Sequence, residues 1–496
     1  MDLTAMKEAL KKLQLKRHFY GHAAGILHFD GDTVAPRASA KYRGETAAFL
    51  SQKQYELMAR PETLELLNTL WEHKDELDEL TAREVYLMRE DVLEMTRIPM
   101  DEFTAYSRLR TDSVSAWLEA KEKKDYSIFE PYLAQVIEYT RKFAAYRNAD
   151  MPAYEVLLDS YEKGLNTEML DNFFGMLRKE IVPMIEQAKN QRPLPAFVSA
   201  SCSINAQREL SDYLMDVMGL DRTRCAIAET EHPFTTSMNP FDARITTHYY
   251  ENDLFSSFYS VVHEGGHAHY EMGINPEHIY SPVGSASSMS LHESQSRFYE
   301  NLVGHDQRFL AFVAPKLREL FPALKDVTDR ELFLAANYVQ PSLIRILADQ
   351  VTYPLHIMVR YELEKQLVGG TLSTKDLPAA WNALMKEYLG VDVPDDSQGV
   401  MQDVHWPSGM FGYFPSYALG SAYASQILNA MKKDLDFDAQ LEKGDLAPVT
   451  KWLNEHIHQY GSMYDPSVLL EKATGEAFNP AYYVEHLKNV MTDLLK

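Results

Sequence analysis

Two histidines four residues apart, His263 and His267, sit inside the stretch DLFSSFYSVVHEGGHAHYEMG. On a helix this spacing stacks both imidazoles on one face, so both can reach a single small cation at about 2 Å each. Glu264 lies between them and carries a carboxylate toward a water beside that cation. The chemistry such a group can do is hydrolysis by a metal-activated water, with the glutamate as general base. Gly265 and Gly266 fill the two remaining positions. Each costs a helix interior about 1 kcal/mol relative to alanine, so both imply a backbone that something else approaches closely.

A catalytic zinc needs a third protein ligand and one open position. Glu271 continues the same helical face, but at 1.5 Å of rise per residue it lies about 12 Å along the axis from His263, so a solvated or supporting carboxylate is the better reading. A third histidine in the longer HExxHxxGxxH pattern is ruled out, because Tyr270 and Gly273 occupy the required positions. Downstream, SSMSLHESQSRFYENLVGH reads as a second helix beginning near Ser290, with Glu293 in its first turn. Glu293 is therefore the expected third ligand. Its neighbour His292 points about 100° away on a helix and is expected to support the site rather than bind the ion.

These residues must be positioned by helices. Leu254, Phe255, Phe258, Val261 and Val262 form the apolar side of the histidine-bearing segment. From Asp2 to about Gln191 the chain reads as successive amphipathic helices, as in ETLELLNTLWEHKDELDELTAREVYLMREDVLEM. A pause follows at Pro193 and Pro195, then strand-type alternation in CAIAETEHPF and ARITTHYY, which are expected to pair as a hairpin joined by TTSMNPFD. Helical patterning returns after Glu251 and continues to Lys496, broken by INPEHIYSPVGSASS, VGGTLSTKDLP and DVPDDSQGV. The expectation is a mainly α, large single-core protein with one small antiparallel sheet near the zinc site. It would be one catalytic unit over 1–496, with a helical half of about 1–191 and a zinc-site half of about 192–496.

Charge narrows the partners. With 49 basic and 72 acidic residues the formal net charge is −23. Such a surface repels nucleic-acid phosphates and anionic lipid, so neither is an expected partner. No apolar run is long enough to span a membrane. Cys202 and Cys225 are the only cysteines, and MDLTAMKEALKKLQLKRHFY lacks a secretory apolar core, which together indicate a cytoplasmic protein.

A set of ordered motifs also resembles a known family, the M32 metallocarboxypeptidases. They are His232-Pro233-Phe234, DARIT (Asp242 to Thr246), HEGGH (His263 to His267), HESQ (His292 to Gln295), IRILAD (Ile344 to Asp349) and GVMQDVHW (Gly399 to Trp406). The opening segment ILHFDGDTVAP is similar too, with Phe29 where the family usually has Trp. The resemblance implies a mainly helical fold around a deep groove and a homodimer. It also implies release of single residues, with broad specificity, from peptides with a free C-terminus. The cofactor would be Zn²⁺, with Co²⁺ able to take its place. His232 is implied on the substrate side. GYFPSYALGSAYAS is similar to the tyrosine-bearing segment of thimet-type oligopeptidases, which implies Tyr417 as oxyanion donor, His405 as its helper and Tyr413 as a groove residue.

Capture of a terminal carboxylate suits a bidentate arginine. Arg345 and Arg244 are the motif arginines, and the alternative for each is an internal salt bridge, to Asp349 or Asp242 respectively. Two rival functions use the same metal residues: a zinc oligoendopeptidase cutting internal bonds, and a non-catalytic helical scaffold stabilised by zinc.

Overall fold

The computed structural model describes residues 2–496, which form twenty α-helices and three short strands. Contacts divide the chain into two compact units. The first comprises residues up to Thr96 together with Pro195–Ala336 and Ile427–Ala477, and the second comprises Arg97–Leu194, Asn337–Gln426 and Phe478–Lys496.

The first unit opens with the helices Leu3–Asp32, Ala40–Met58, Pro61–Glu72 and Glu79–Arg97. They share a core of Met6, Leu10, Leu13, Leu57, Met58, Leu67, Leu70, Val85, Met88 and Val92, spaced by three, four or seven within the first, third and fourth of these helices and adjacent at the end of the second. The long amphipathic stretch breaks in two for local reasons. Pro61 starts one helix, where its missing N–H costs nothing, and Asp78 caps the next by accepting from the Thr81 N–H at 3.0 Å.

Strands β1 (Cys225–Glu229), β2 (Thr235–Asn239) and β3 (Asp242–Thr247) form the small sheet in the order β1-β3-β2. Here the expected pairing is corrected. β1 runs parallel to β3, and the hairpin is made by β2 and β3, so the sheet is mixed rather than antiparallel. The segment TTSMN, taken above for connecting loop, is itself the middle of the chain path and the edge strand. The turn signal was Asn-Pro-Phe-Asp: the Asn239 side chain accepts from the Phe241 N–H at 2.8 Å, which closes the reversal at Pro240 and Phe241. β3 supplies Ala243 and Ile245 to the core, both fully buried.

Two helices complete the part of this unit that matters for chemistry. Ser256–Gly273 buries Phe258, Val261 and Val262, with Leu254 buried just before its start and Phe255 at its cap. Met289–Arg297 begins where Ser288 accepts from the Leu291 N–H at 3.1 Å, and it passes directly into a π-helical stretch, Phe298–Gly304.

The second unit is organised around the helix Tyr353–Gly369, buried on nearly every face, with Leu355, Ile357, Val359 and Leu363 inaccessible. Helical patterning is not continuous here. The chain is irregular between Ala336 and Tyr353, apart from a single 3₁₀ turn at Arg345–Leu347, and again between Leu389 and Pro415. Pro341 interrupts the first stretch, while Gly409 and Gly412 adopt positive φ in the second, where a left-handed backbone excludes most side chains.

Candidate metal centre

The two histidines and Glu293 converge. One ligand atom from each of His263, His267 and Glu293 lies within 4.8 Å of the others. Glu293 Oε2 stands 3.8 Å from His263 Nε2 and 3.5 Å from His267 Nε2. This trio is the one group of three or more potential ligands among the described residues.

Glycine makes the convergence possible. A Cβ on Gly266 would meet the Gln295 carbonyl oxygen at 2.5 Å and Ser296 Cα at 2.7 Å, so the two helices touch backbone to backbone one residue before His267 and two residues after Glu293. Gly265 faces the other way, where its Cβ would meet Met218 Cε at 2.6 Å. Both glycines thus do what the helix-propensity cost implied.

Partners behind the ligands fix their state. Glu300, on the π-helical stretch, lies 2.7 Å from His263 Nδ1. A carboxylate only accepts, so Nδ1 carries a proton, and Nε2 is the nitrogen turned toward Glu293, the one that would release its proton to bind a cation. Burial opposes charge on His263, but Glu293 and Glu300 outweigh it and, with no cation present, raise its pKa to about 9. His267 goes the opposite way, pushed down to about 3 by burial and by His292. Burial also works against Glu293, yet Arg297, His263 and His267 hold it well below the usual carboxylate range. Two partly buried imidazoles and a buried, ionised carboxylate make the donor set of a divalent-cation site.

Glu264 is buried beside this group. Thr235 Oγ1 on β2 donates to its Oε2 at 2.6 Å and lies 3.0 Å from its backbone carbonyl. Burial pushes its pKa upward, with His263 and Thr235 acting against that shift. A general base raised toward working pH accepts a proton readily and also returns it.

Glu271 and His292 take supporting places. Their side chains approach to 3.0 Å, off the angle of a hydrogen bond, and the His292 ring stacks on His267 with centroids 4.2 Å apart. Glu271 is not among the converging ligands.

The match with known proteins covers this whole frame. The family model for Carboxypeptidase Taq (M32) metallopeptidase matches residues 9–491. The chain belongs to the M32 metallocarboxypeptidase family. It is 38% identical to carboxypeptidase 1 of Bacillus subtilis over 495 residues, 99% of each chain, and 34% identical to thermostable carboxypeptidase 1 of Thermus thermophilus, 98% of each. The crystal structure of the M32 carboxypeptidase from Deinococcus radiodurans R1 superposes with a TM-score of 0.96 at 30% identity, covering 99% of both chains. As an M32 member the chain is an enzyme, a metal-dependent peptide hydrolase.

The remaining expected residues of this M32 enzyme fall in both units. In the first, His232 is exposed in the loop before β2. Arg244 forms the foreseen bidentate pair with Asp242, at 2.8 and 2.7 Å, and lies over the Phe29 ring at 5.0 Å.

In the second unit, His405 Nε2 lies 3.3 Å from the Tyr417 hydroxyl, and burial pushes the imidazole down to about 4, so it is neutral at ordinary pH. Tyr413 packs edge-on against Tyr417 with ring centroids 5.1 Å apart. Arg345 corrects the alternative considered for it. Its partner is Asp403, reached by Nε at 3.0 Å and Nη2 at 2.9 Å, while Nη1 donates to the Tyr353 hydroxyl at 3.2 Å. Asp349 instead closes the turn that leads into the helix Tyr353–Gly369 by accepting from the Val351 and Thr352 N–H groups. A spacing of four residues implied contact only on a continuous helix, and the chain is not helical there. Asp403 also accepts from the fully buried Arg360 at 2.7 Å; burial opposes its charge, but the two arginines hold it ionised.

Thr235, Arg297, Glu300 and Asp403 escaped the sequence reading. Glu300 carried a signal, seven residues after Glu293 and hence on its face of a continuing helix. Thr235 and Asp403 carried none, because their contacts are long-range.

Proposed function

We propose that the enzyme removes C-terminal residues from peptides using Zn²⁺ held by His263, His267 and Glu293. The observation that carries this reading is the convergence of those three side chains with the buried Glu264 alongside, held by Thr235. When bound, the ion supplies Lewis acidity toward the scissile carbonyl and makes a nearby water easier to deprotonate. The chain's own residues do the rest. His263 is kept in one tautomer by Glu300, and Glu293 stays ionised through Arg297. Glu264 takes a proton from the attacking water and gives it to the leaving amine nitrogen. The roles implied for Tyr417 as oxyanion donor, His405 as its neutral helper, and Arg345 or Arg244 in holding the terminal carboxylate belong to the same proposal, as does a substrate-side place for His232 and Tyr413. So do action as one catalytic unit, Co²⁺ as a working substitute, and a homodimeric, cytoplasmic protein. In support of the last, both cysteines are unpaired, and no described helix is long and apolar enough to cross a membrane.

The test is to incubate the protein with one peptide in free-acid and C-terminally amidated form and to follow product masses. Stepwise loss of single C-terminal residues from the free acid alone, abolished by a chelator and restored by Zn²⁺ or Co²⁺, is expected. Internal fragments from both peptides would replace the reading with an endopeptidase.

A further inference from the structure

Behind the three converging side chains, one arginine ties Glu293 to Glu300. Arg297 stands four residues after Glu293 and three before Glu300. Its Nε donates to Glu293 Oε1 at 2.7 Å, and its Nη1 donates to Glu300 Oε2 at 3.1 Å, the same oxygen that receives His263 Nδ1 at 2.7 Å. One guanidinium therefore grips both carboxylates through two different nitrogens. The other Glu293 oxygen, Oε2, is the one that faces both imidazoles. The backbone assists: the helix ends at Arg297 and widens into the π-helical stretch, where the His305 N–H reaches the Glu300 carbonyl in an i→i+5 bond. π-Helical turns are uncommon and concentrate at functional sites, and this one carries Glu300 to His263.

We propose that Arg297 is a positioning residue that holds Glu293 to one-oxygen ligation and, through Glu300, fixes the orientation of His263, so that a coordination position stays open for water. The inference rests on the metal reading given above. With Oε1 engaged by Nε, Glu293 cannot turn both oxygens to the ion without breaking a charge-assisted bond in a buried setting. A catalytic ion with three single-atom protein ligands keeps a free position, and a carboxylate that binds through both oxygens takes that position up. The planar fork is essential, because a lysine ammonium is a point donor on a flexible stem and does not hold two carboxylates in fixed directions.

The experiment compares the parent protein with Arg297→Lys, Arg297→Met and Glu300→Gln, each as the full chain loaded with Co²⁺. Metal affinity is read by chelator competition, coordination number by the intensity of the visible Co²⁺ bands, and folding by circular dichroism of the metal-free proteins. Arg297→Lys should weaken metal affinity by about 10- to 100-fold, the range for losing a partner behind a metal ligand, and its bands should fall in intensity as Glu293 takes a second contact. Glu300→Gln should weaken affinity in the same direction but leave the bands unchanged, since Glu293 is still gripped. Affinity within about threefold of the parent together with unchanged bands in Arg297→Lys overturns the proposal, and a loss seen in Arg297→Met but not in Arg297→Lys reduces Arg297 to charge compensation, which also overturns it. If Arg297→Lys does not fold, Glu300→Gln decides, and parent-like affinity there overturns the proposal. Failure of the underlying metal reading looks different: the parent would not take up one equivalent of Co²⁺, or His263→Ala would take it up unchanged.

Discussion

Replacing Gly266 by alanine puts the geometry of the centre to a quantitative test. The added methyl would lie 2.5 Å from the Gln295 carbonyl oxygen, 2.7 Å from Ser296 Cα and 2.9 Å from the Gln295 carbonyl carbon, all of them backbone. Ordinary contact is nearer 3.4 Å, so the helix Met289–Arg297 must retreat by roughly 0.7 to 0.9 Å, since no rotamer change relieves a clash with main chain. Alanine gains about 1 kcal/mol in helix propensity over glycine, and overpacking a tight contact costs about 1 to 3 kcal/mol, so the net stability change is small, about 0 to 2 kcal/mol of loss. The effect on metal should be far larger. Metal sites hold their ligand distances to about 0.2 Å, and a retreat several times that carries Glu293 away from His263 and His267. We expect metal affinity to fall at least tenfold, measured by chelator competition, while the melting temperature of the metal-free protein moves by only a few degrees. Gly265→Ala is the control, because its new methyl meets the mobile end of the Met218 side chain at 2.6 Å, which can swing aside. Parent-like metal affinity in Gly266→Ala, or an equal loss in both variants, would refute the argument that backbone contact at Gly266 sets the ligand spacing.

Glu264→Gln keeps the shape of the base and removes its basicity, so turnover should drop by at least about 10²-fold with metal content unchanged by elemental analysis. Glu293→Ala should strip the metal, whereas Glu271→Ala, which removes only the partner of His292, should leave metal content near that of the parent. Arg345→Ala should lower kcat/KM on free-acid peptides by roughly 30- to 700-fold, equivalent to about 2 to 4 kcal/mol, and change little on amidated ones; an equal loss on both would mark Arg345 as a structural partner of Asp403. Glu364 supplies a pH dependence of stability. Burial raises its carboxyl from 4.5 to about 7 despite hydrogen bonds from the Gly412 N–H, Trp406 and Tyr154. The folded state then holds a proton that the unfolded state releases, so this contribution is full below pH 4.5 and is lost as pH rises through 7, about 3 kcal/mol in all. Denaturant unfolding at pH 5 and pH 8 should show Glu364→Gln gaining on the parent by about that amount, and a constant difference would refute the assignment.

The convergence of His263, His267 and Glu293 was legible from local patterns: four-residue spacing on one helix, and a second helix starting near Ser290 that carries Glu293. The hairpin was misread because β1 and β3 share the stronger β pattern, while the polar strand TTSMN joins the sheet only through pairing with β3 and its contact with Glu264. The partners of Arg345 were hidden for a related reason. Local spacing predicts contacts on regular helices, and this arginine sits on an isolated 3₁₀ turn facing a residue 58 positions away.

The interleaving of the two units bears on how the protein is made. The chain passes from one unit to the other five times, and the first unit is closed only by Ile427–Ala477. During synthesis, the histidine-bearing helix therefore leaves the ribosome well before the last segment of its own unit exists, and its C-terminal end, where Asn454 donates to the Gly273 carbonyl and His458 stacks on Tyr270, stays uncovered for the time needed to add about 150 residues. At roughly 5 to 20 residues per second that interval is on the order of ten to thirty seconds. Nascent chains stalled before residue 427 should accordingly bind chaperones and retain no metal, whereas chains stalled with residue 477 and its successors outside the tunnel should retain it.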